Sequence, residues 1–279
     1  SDRASWLQFP RGTSHVFLED MDLKPHRSTY WLNSKAKRDD PVRHAAQEKE
    51  ICELYAQAPA LHEQGVHVIS ADEKTGIQAL ERAAPTLPMR PGREELREFE
   101  YIRHGTQCLT ANFEVATGNV IEPATISATR TEAEFAEHIR KTIAGAALDA
   151  RWIFILDGLN THFSESLVRL VAGLEDSNAR VPLELGVKGK DGILKNVESR
   201  RAFLSNAGRR VRFVYTPKHC SWMNQIEIWF SILSRRALKR ASFRSVDELK
   251  TALREFIAYF NRVLAKPFRW TYTGRPLTT

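Results

Sequence analysis

The chain has 279 residues, of which 42% are hydrophobic and 27% are charged, and its net charge is +7. This composition is that of a globular chain able to bury a core, so it excludes a wholly disordered protein. The chain contains no apolar run long enough for a membrane span, no secretory signal at its polar N-terminus and no disulfide framework among its three dispersed cysteines. We therefore expect a cytoplasmic protein without a membrane partner.

The first part of the chain is predicted to contain a polar tail, a helix and a strand. Residues 1–42 are polar and interrupted by three prolines, and Pro41–Tyr55 is predicted to form a polar helix. Val66–Ala71 is predicted to form a strand that is followed directly by Asp72. Three prolines and a glycine within residues 84–106 indicate a long loop.

A hairpin, a helix and a buried strand are predicted next. Gln107–Val115 and Val120–Ala128 are strand-like and are separated by Thr117-Gly118-Asn119, which predicts a hairpin. Thr131–Glu134 has the pattern of a capping box and predicts the start of a helix. The continuous apolar run Trp152–Leu156 is typical of a strand buried on both faces.

The last part of the chain is predicted to alternate helices with one more strand. Its elements are a helix over Ser164–Leu174, a polar region over 175–210, a strand over Val211–Tyr215, a helix over Trp222–Arg240 and a final helix capped by Ser245–Glu248. A hairpin followed by a βαβαβ order predicts an α/β fold in which helices cover a mixed sheet.

Three carboxylates are candidates for one metal site. Asp72 and Asp157 each follow a predicted strand, and ligands of open α/β sheets collect beyond the carboxyl ends of the strands. Glu227 lies between Met223 and Phe230 on a helix whose apolar side is expected to run past it. A carboxylate there would be costly to bury unless it shared a cation. The alternatives are that each Asp only forms a turn and that Glu227 makes a helix salt bridge.

Three segments resemble the motif blocks of bacterial insertion-sequence transposases, which are related to the mariner elements within the DDE superfamily. These segments are Val68–Leu80, Ile155–His162 and Tyr215–Glu227, and Phe260–Gly274 resembles the end of the same family. The resemblance covers about residues 24–276 with its blocks in the same order. It implies an RNase H-like fold, which is a five-stranded mixed sheet flanked by helices.

The resemblance also implies an activity and a set of site residues. Asp72, Asp157 and Glu227 match the family's catalytic triad, which holds two Mg²⁺ or Mn²⁺ ions. The implied reaction is metal-dependent cleavage of DNA strands at element ends, followed by attack of the freed 3′-hydroxyl on target DNA, with TA as the expected target. The implied partners are the terminal inverted repeats and target DNA, and the position of the loop at 84–106 matches a dimerising segment of some relatives, so we expect a homodimer.

The chain departs from the family pattern at three places, one of which is Gln225 in place of a Pro that is common in the third motif block. Gly158 stands where many relatives carry Asn or Gln, and 69 residues separate Asp157 from Glu227, a longer interval than in many relatives. We therefore expect an insertion near residues 174–208 of a catalytic domain that spans 43–279. Residues 1–42 are interpreted as the remnant of a helix-turn-helix region and its linker.

Positive charge is concentrated in the last third of the chain. Residues 200–279 carry a net charge of +13 and residues 1–199 a net charge of −6. Such an asymmetry favours a polyanionic partner, although a solvated basic face is the alternative. The candidate DNA-binding residues are Lys24, Arg27, Lys74, His162, Lys218, His219, Arg235, Arg236, Lys239 and Arg240.

Several of these candidates have structural alternatives. The last four cations would also complement the negative end of a helix dipole, and His162 could instead make a structural hydrogen bond. Trp222 and Trp229 are expected in the core rather than stacked on bases.

Three functions remain open from the sequence. The first is a DDE transposase, the second is a DNA-binding remnant without catalytic activity, and the third is a structure-selective nuclease with an RNase H fold.

Overall fold

The computed structural model describes residues 38–176 and 183–273. The five strands are β1 (Val66–Arg82), β2 (Tyr101–Glu114), β3 (Val120–Ser127), β4 (Arg151–Leu156) and β5 (Val211–Tyr215). The helices are α1 (Pro41–Glu63), α2 (Glu132–Ala144), α3 (Glu165–Asp176), α4 (Val197–Leu204), α5 (Ile226–Leu233) and α6 (Val246–Tyr259). Short 3₁₀ turns occupy Asn160–Phe163 and Ser221–Met223, and π-helical turns occupy Ser234–Leu238 and Phe260–Leu264.

All five strands form one mixed sheet in the order β3-β2-β1-β4-β5. β1 pairs with β2 and β2 with β3 in antiparallel fashion, whereas β4 is parallel to both β1 and β5. The predicted hairpin and the five-stranded mixed sheet are therefore confirmed. Among the described residues, no helix has the length and hydropathy needed to cross a membrane.

Helices cover both faces of the sheet because the central strands are apolar on both sides. Phe154 on β4 packs in a cluster with Ile139 of α2 and Leu167 of α3. Its neighbour Ile155 points to the opposite face and packs with Ile51 of α1. Trp152, Phe154, Ile155 and Leu156 are all buried, so the prediction that this strand is buried on both faces is confirmed. A third cluster joins α5 and α6 to the antiparallel half of the sheet.

β1 is longer than the sequence predicts, and this changes the position of Asp72. The prediction ended the strand at Ala71, but β1 continues to Arg82 because β2 supplies pairing partners from Ile69 to Arg82. An irregularity between Lys74 and Ile77 interrupts the register, and Gly76 there has a φ of 71° that favours glycine. Asp72 therefore lies within a strand rather than at its end.

Helix boundaries also differ from the prediction. α1 extends to Glu63, beyond the expected end at Tyr55, and α4 lies in the region that was expected to be polar and irregular. The helix predicted over Trp222–Arg240 is divided into the turn Ser221–Met223, α5 and a π-helical turn. Most of the expected N-terminal remnant lies outside the described residues, so its structure and the boundary at residue 42 stay predictions.

Replacing Phe213 by Ala should destabilise the fold by about 3–5 kcal/mol, because the fully buried ring on β5 would leave a cavity. Phe99→Ala is the matched control, since that ring is 80% exposed and its loss should change the free energy of unfolding by less than about 0.5 kcal/mol. Chemical denaturation of both variants measures the difference. Equal effects would contradict the assigned position of β5 in the core.

Candidate active site

The parallel pairing of β1 and β4 places Asp72 and Asp157 side by side. Ser70 is paired with Ile155. Asp72 lies two residues further along β1, and Asp157 lies two residues after Ile155, directly past the end of β4. Because side chains alternate along a strand, this spacing directs both carboxylates toward the same face of the sheet. The negative charge of Asp157 is one of the causes that raise the pKa of Asp72, so the two carboxyl groups interact electrostatically.

The environment of Asp72 opposes its ionisation. Burial and then the charge of Asp157 raise its pKa to about 7. The Glu73 amide, which donates to Asp72 Oδ1 over 2.7 Å, and the positive charge of His162 oppose this increase without cancelling it. The pair of carboxylates therefore lacks positive charge to balance it, and a bound cation would supply that charge.

A buried histidine holds Asp157 in its ionised form. His162 Nδ1 lies 2.9 Å from Asp157 Oδ1, and His162 Nε2 lies 3.1 Å from Glu73 Oε2. Burial alone would lower the pKa of His162, but hydrogen bonds and charge from the two acids raise it to about 10. Burial likewise acts to raise the pKa of Asp157, and the hydrogen bond and charge of His162 outweigh it and lower that pKa. The Leu159 amide donates a further hydrogen bond to Asp157 Oδ1 over 3.0 Å.

The placement of His162 corrects one prediction. Its side chain is fully buried and both ring nitrogens face carboxylates, so it does not have the surface exposure that a direct DNA contact requires. The structural alternative considered for this residue describes it better. Glu73, which the sequence did not single out, completes the ion bridge, and its position beside Asp72 was the only signal for it.

A buried polar network fixes the start of α5 to β1. The Asn224 side-chain amide donates to the Ala71 carbonyl over 2.9 Å and lies 3.4 Å from Asp72 Oδ2. Ser70 donates from its hydroxyl to Asn224 Oδ1 and accepts the Ile226 amide over 2.8 Å. Sequence reasoning missed this network, although a serine inside an otherwise apolar strand was a signal for it. The network holds the first turn of α5 next to Asp72.

Glu227 lies in this first turn, three residues after Asn224. The expectation that apolar side chains bury its carboxylate is wrong, because Ile226, Trp229 and Phe230 turn into the core and leave Glu227 exposed. Within residues 38–176 and 183–273, no ion pair engages its carboxylate, so the helix salt bridge is not observed either. The carboxylate of Glu227 is therefore exposed, and its backbone lies near Asp72 through the Asn224–Asp72 contact.

The predicted basic residues divide between two concave surfaces. Lys218 and His219 line a cavity of about 950 Å³ together with Asp157. Lys74, Arg235 and Lys239 line a second cavity of about 460 Å³. Arg236 and Arg240 are exposed near the second cavity without lining it, and Lys24 and Arg27 lie outside the described residues.

The two tryptophans near Glu227 differ in burial. Trp229 is fully buried, as expected for a core residue. Trp222 is 50% exposed, so its predicted place in the core is wrong. Its indole instead stacks on that of Trp270, with ring centroids 6.4 Å apart.

Comparisons with known proteins agree with this geometry. The family model of the DDE superfamily endonuclease matches residues 67–250. No protein with a curated description matches the chain in sequence. The fold is similar to that of the Mos1 mariner paired end complex with Mn, with 15% identity and a TM-score of 0.50 over 88% of this chain. The chain spans 62% of that protein's length.

Two further Mos1 structures match with the same TM-score of 0.50. The Mos1 transposase paired-end complex with left transposon end has 12% identity and a TM-score of 0.50, covering 92% of this chain and 74% of that one. The pre-cleavage Mos1 transpososome has 11% identity and a TM-score of 0.50, covering 92% of this chain and 75% of that one. At these identities the similarity shows the fold alone, and it confirms the expected RNase H-like architecture.

Replacing Asp72 by Asn should stabilise the metal-free protein at pH 8 and leave its stability unchanged near pH 4. The folded state binds the Asp72 proton more tightly than the unfolded state does, since its pKa is about 7 instead of 3.8. Raising the pH between these values therefore removes stability from the parent but not from the variant. The gain at pH 8 should reach at most about 4 kcal/mol.

Denaturant unfolding in the presence of a chelator measures this difference at both pH values. Asp39→Asn, at an exposed carboxylate, is the control, and its stability should stay close to that of the parent at both pH values. An Asp72→Asn effect of equal size at pH 4 and pH 8 would show that burial of its charge is not the cause.

Proposed function

The chain belongs to the DDE superfamily endonucleases, and we propose that it is a transposase that cleaves DNA strands at the ends of an element and joins the freed 3′-hydroxyl to target DNA. The observation that carries the proposal is the pair Asp72 and Asp157, one carboxylate on β1 and one directly after the adjacent parallel strand β4, with Glu227 in the first turn of α5. The same proposal includes TA dinucleotides as target sites and a homodimer as the active form. It also places the protein in the cytoplasm on the nucleoid and treats residues 1–42 as the remnant of a helix-turn-helix region and its linker.

The residues present fit divalent metal ions. Burial and the neighbouring charge of Asp157 raise the pKa of Asp72, so a hard cation is the partner that this oxygen-rich pair lacks. Asp72, Asp157 and Glu227 would hold two Mg²⁺ or Mn²⁺ ions, and the Mn in one matched Mos1 complex supports this class of ion. When bound, such ions stabilise charge on the attacking and leaving oxygens of a phosphoryl transfer.

The chain's own residues prepare these ligands in different ways. His162 keeps Asp157 ionised, and Glu73 holds His162 in place from its other ring nitrogen. Asp72, with a pKa of about 7, would release its proton as a cation binds, which couples metal binding to pH. Asn224 ties the first turn of α5 to β1 and so fixes the backbone of Glu227 relative to Asp72.

The basic surfaces support DNA as the substrate. Lys218 and His219 share a cavity with Asp157, so phosphates bound there would lie next to the carboxylates. Lys74, Arg235 and Lys239 add a second concave basic surface between β1 and the end of α5. Phosphate contacts from such residues position DNA without reading its sequence, which suits a catalytic domain.

The variant Asp157→Asn should lose metal-dependent cleavage and strand transfer on an element-end duplex by about 10³-fold, because a metal ligand is removed. Glu227→Gln should cause a similar loss without lowering the melting temperature, since its side chain is exposed. Asp149→Asn, at the exposed opposite end of β4, is the matched control and should retain activity.

The same assay separates the proposal from its two alternatives. Full activity of Asp157→Asn would show that the proposed triad is wrong. A parent protein that binds DNA but gives no metal-dependent heat in calorimetry would be a catalytically inactive remnant. Preference for branched DNA over element ends would indicate a structure-selective nuclease.

The double variant Arg235→Ala/Lys239→Ala should bind DNA more weakly and with a smaller dependence on salt. Loss of two phosphate contacts should reduce the slope of log affinity against log salt by about 2. Fluorescence anisotropy at several salt concentrations measures this slope. The charge-matched control is Arg140→Ala/Lys141→Ala on α2, where both cations pair with Glu137. If the slope of log affinity against log salt equals that of the control, the second cavity does not contact DNA phosphates.

A further inference from the structure

A second group of potential metal ligands lies at the start of β1, and we call it the His-His-Glu cluster. It consists of His62 in the last turn of α1, His67 near the start of β1 and Glu114 at the end of β2. His62 Nδ1 and His67 Nδ1 lie 3.2 Å and 2.5 Å from the same Glu114 Oε1 atom. Three potential ligand atoms from three elements therefore converge within 4.8 Å.

Hydrogen bonding does not satisfy all three side chains. Two imidazole nitrogens face a single carboxylate oxygen, and only His67 forms a hydrogen bond with it. His62 Nδ1 is a buried atom that has no hydrogen-bond partner despite its short distance from Glu114. An unpartnered buried nitrogen is costly, and coordination to a cation would satisfy it.

Neighbouring groups already orient the ligands. The ring of His67 stacks on Trp152, with centroids 4.4 Å apart and an interplanar angle of 21°. The Thr117 hydroxyl donates to Glu114 Oε2 over 2.9 Å and leaves Oε1 for the histidines. Such outer contacts fix the orientation of metal ligands and raise their affinity.

The ligand chemistry favours a transition metal over magnesium. Two imidazoles with one carboxylate suit Zn²⁺ and similar ions, whereas Mg²⁺ prefers oxygen ligands. Tetrahedral Zn²⁺ with bonds of about 2.0–2.1 Å places neighbouring ligand atoms about 3.3 Å apart. The 3.2 Å separation of His62 Nδ1 and Glu114 Oε1 already has this value. The His67 contact would need to lengthen by less than about 1 Å.

We propose that the His-His-Glu cluster binds one divalent transition metal ion of the Zn²⁺ class. His62 is 36% and His67 21% exposed, so water can reach the remaining coordination position. Asp72 lies five residues after His67, about 16 Å further along β1, so this site is separate from the acidic one. The ion would join the end of α1 to β1 and β2 and stabilise that junction, whatever reaction the acidic site performs.

Calorimetric titration of Zn²⁺ into the full chain, after treatment with a chelator, tests the proposal. His62→Gln and His67→Gln should each remove one bound equivalent or weaken it by at least about 10-fold. Asp157→Asn should retain that equivalent, because it changes only the acidic site. His104→Gln is the matched control, since His104 also pairs with one glutamate but belongs to no group of three ligands among the described residues.

Two further readouts address the geometry and the role of the site. Co²⁺ in place of Zn²⁺ should give the visible absorption of a tetrahedral ion in the parent and not in His67→Gln. Zn²⁺ at about 100 times its dissociation constant should raise the melting temperature of the parent by roughly 5–10 °C.

Two results would overturn the proposal. One is Zn²⁺ binding that is unchanged in both His62→Gln and His67→Gln, and the other is binding that Asp157→Asn alone abolishes. If His67→Gln fails to fold in the absence of metal, His62→Gln decides, because that residue lies at an exposed helix end.

Discussion

The parallel pairing of β1 with β4 is the constraint on which the candidate active site depends. It brings Asp72 on β1 and Asp157, the first residue after β4, to the same level of the sheet. β1 also pairs with β2 in the antiparallel sense well beyond the last residue of β4. One strand therefore carries the first acid, holds the second beside it and supplies the surface on which α5 packs.

This arrangement concentrates negative charge that the fold balances only in part. His162 forms a buried bridge between Asp157 and Glu73, which leaves Asp72 without an equivalent partner. The two neighbouring aspartates therefore differ. His162 lowers the pKa of Asp157 and keeps it ionised, whereas the pKa of Asp72 is raised and a bound cation would balance its charge. A site built in this way can remain folded without metal and still favour metal binding, because the unbalanced charge is limited to one group.

The sequence was sufficient for the order of the strands and for the mixed sheet, because hydrophobic periodicity, the hairpin turn and the capping box at Thr131 are local signals. It was not sufficient for the length of β1, since the charged residues after Ala71 end the apolar run and only pairing with β2 makes them a strand. The burial of His162 and the exposure of Glu227 depend on contacts between distant segments. The network of Ser70 and Asn224 joins residues 154 positions apart, and no local pattern reports such a contact.

The exposure of Glu227 determines how a substitution there would inactivate the protein. An exposed side chain in a first helical turn can change at little cost in stability, so cellular quality control would not remove the resulting chain. On the proposed function, such a chain would keep its basic surfaces and would compete with intact copies for the same DNA. A substitution of the buried His162 would instead leave unbalanced charge in the core and lower the amount of folded protein. Inactivation at the two positions therefore leads to different outcomes, inhibition of intact copies in one case and loss of protein in the other.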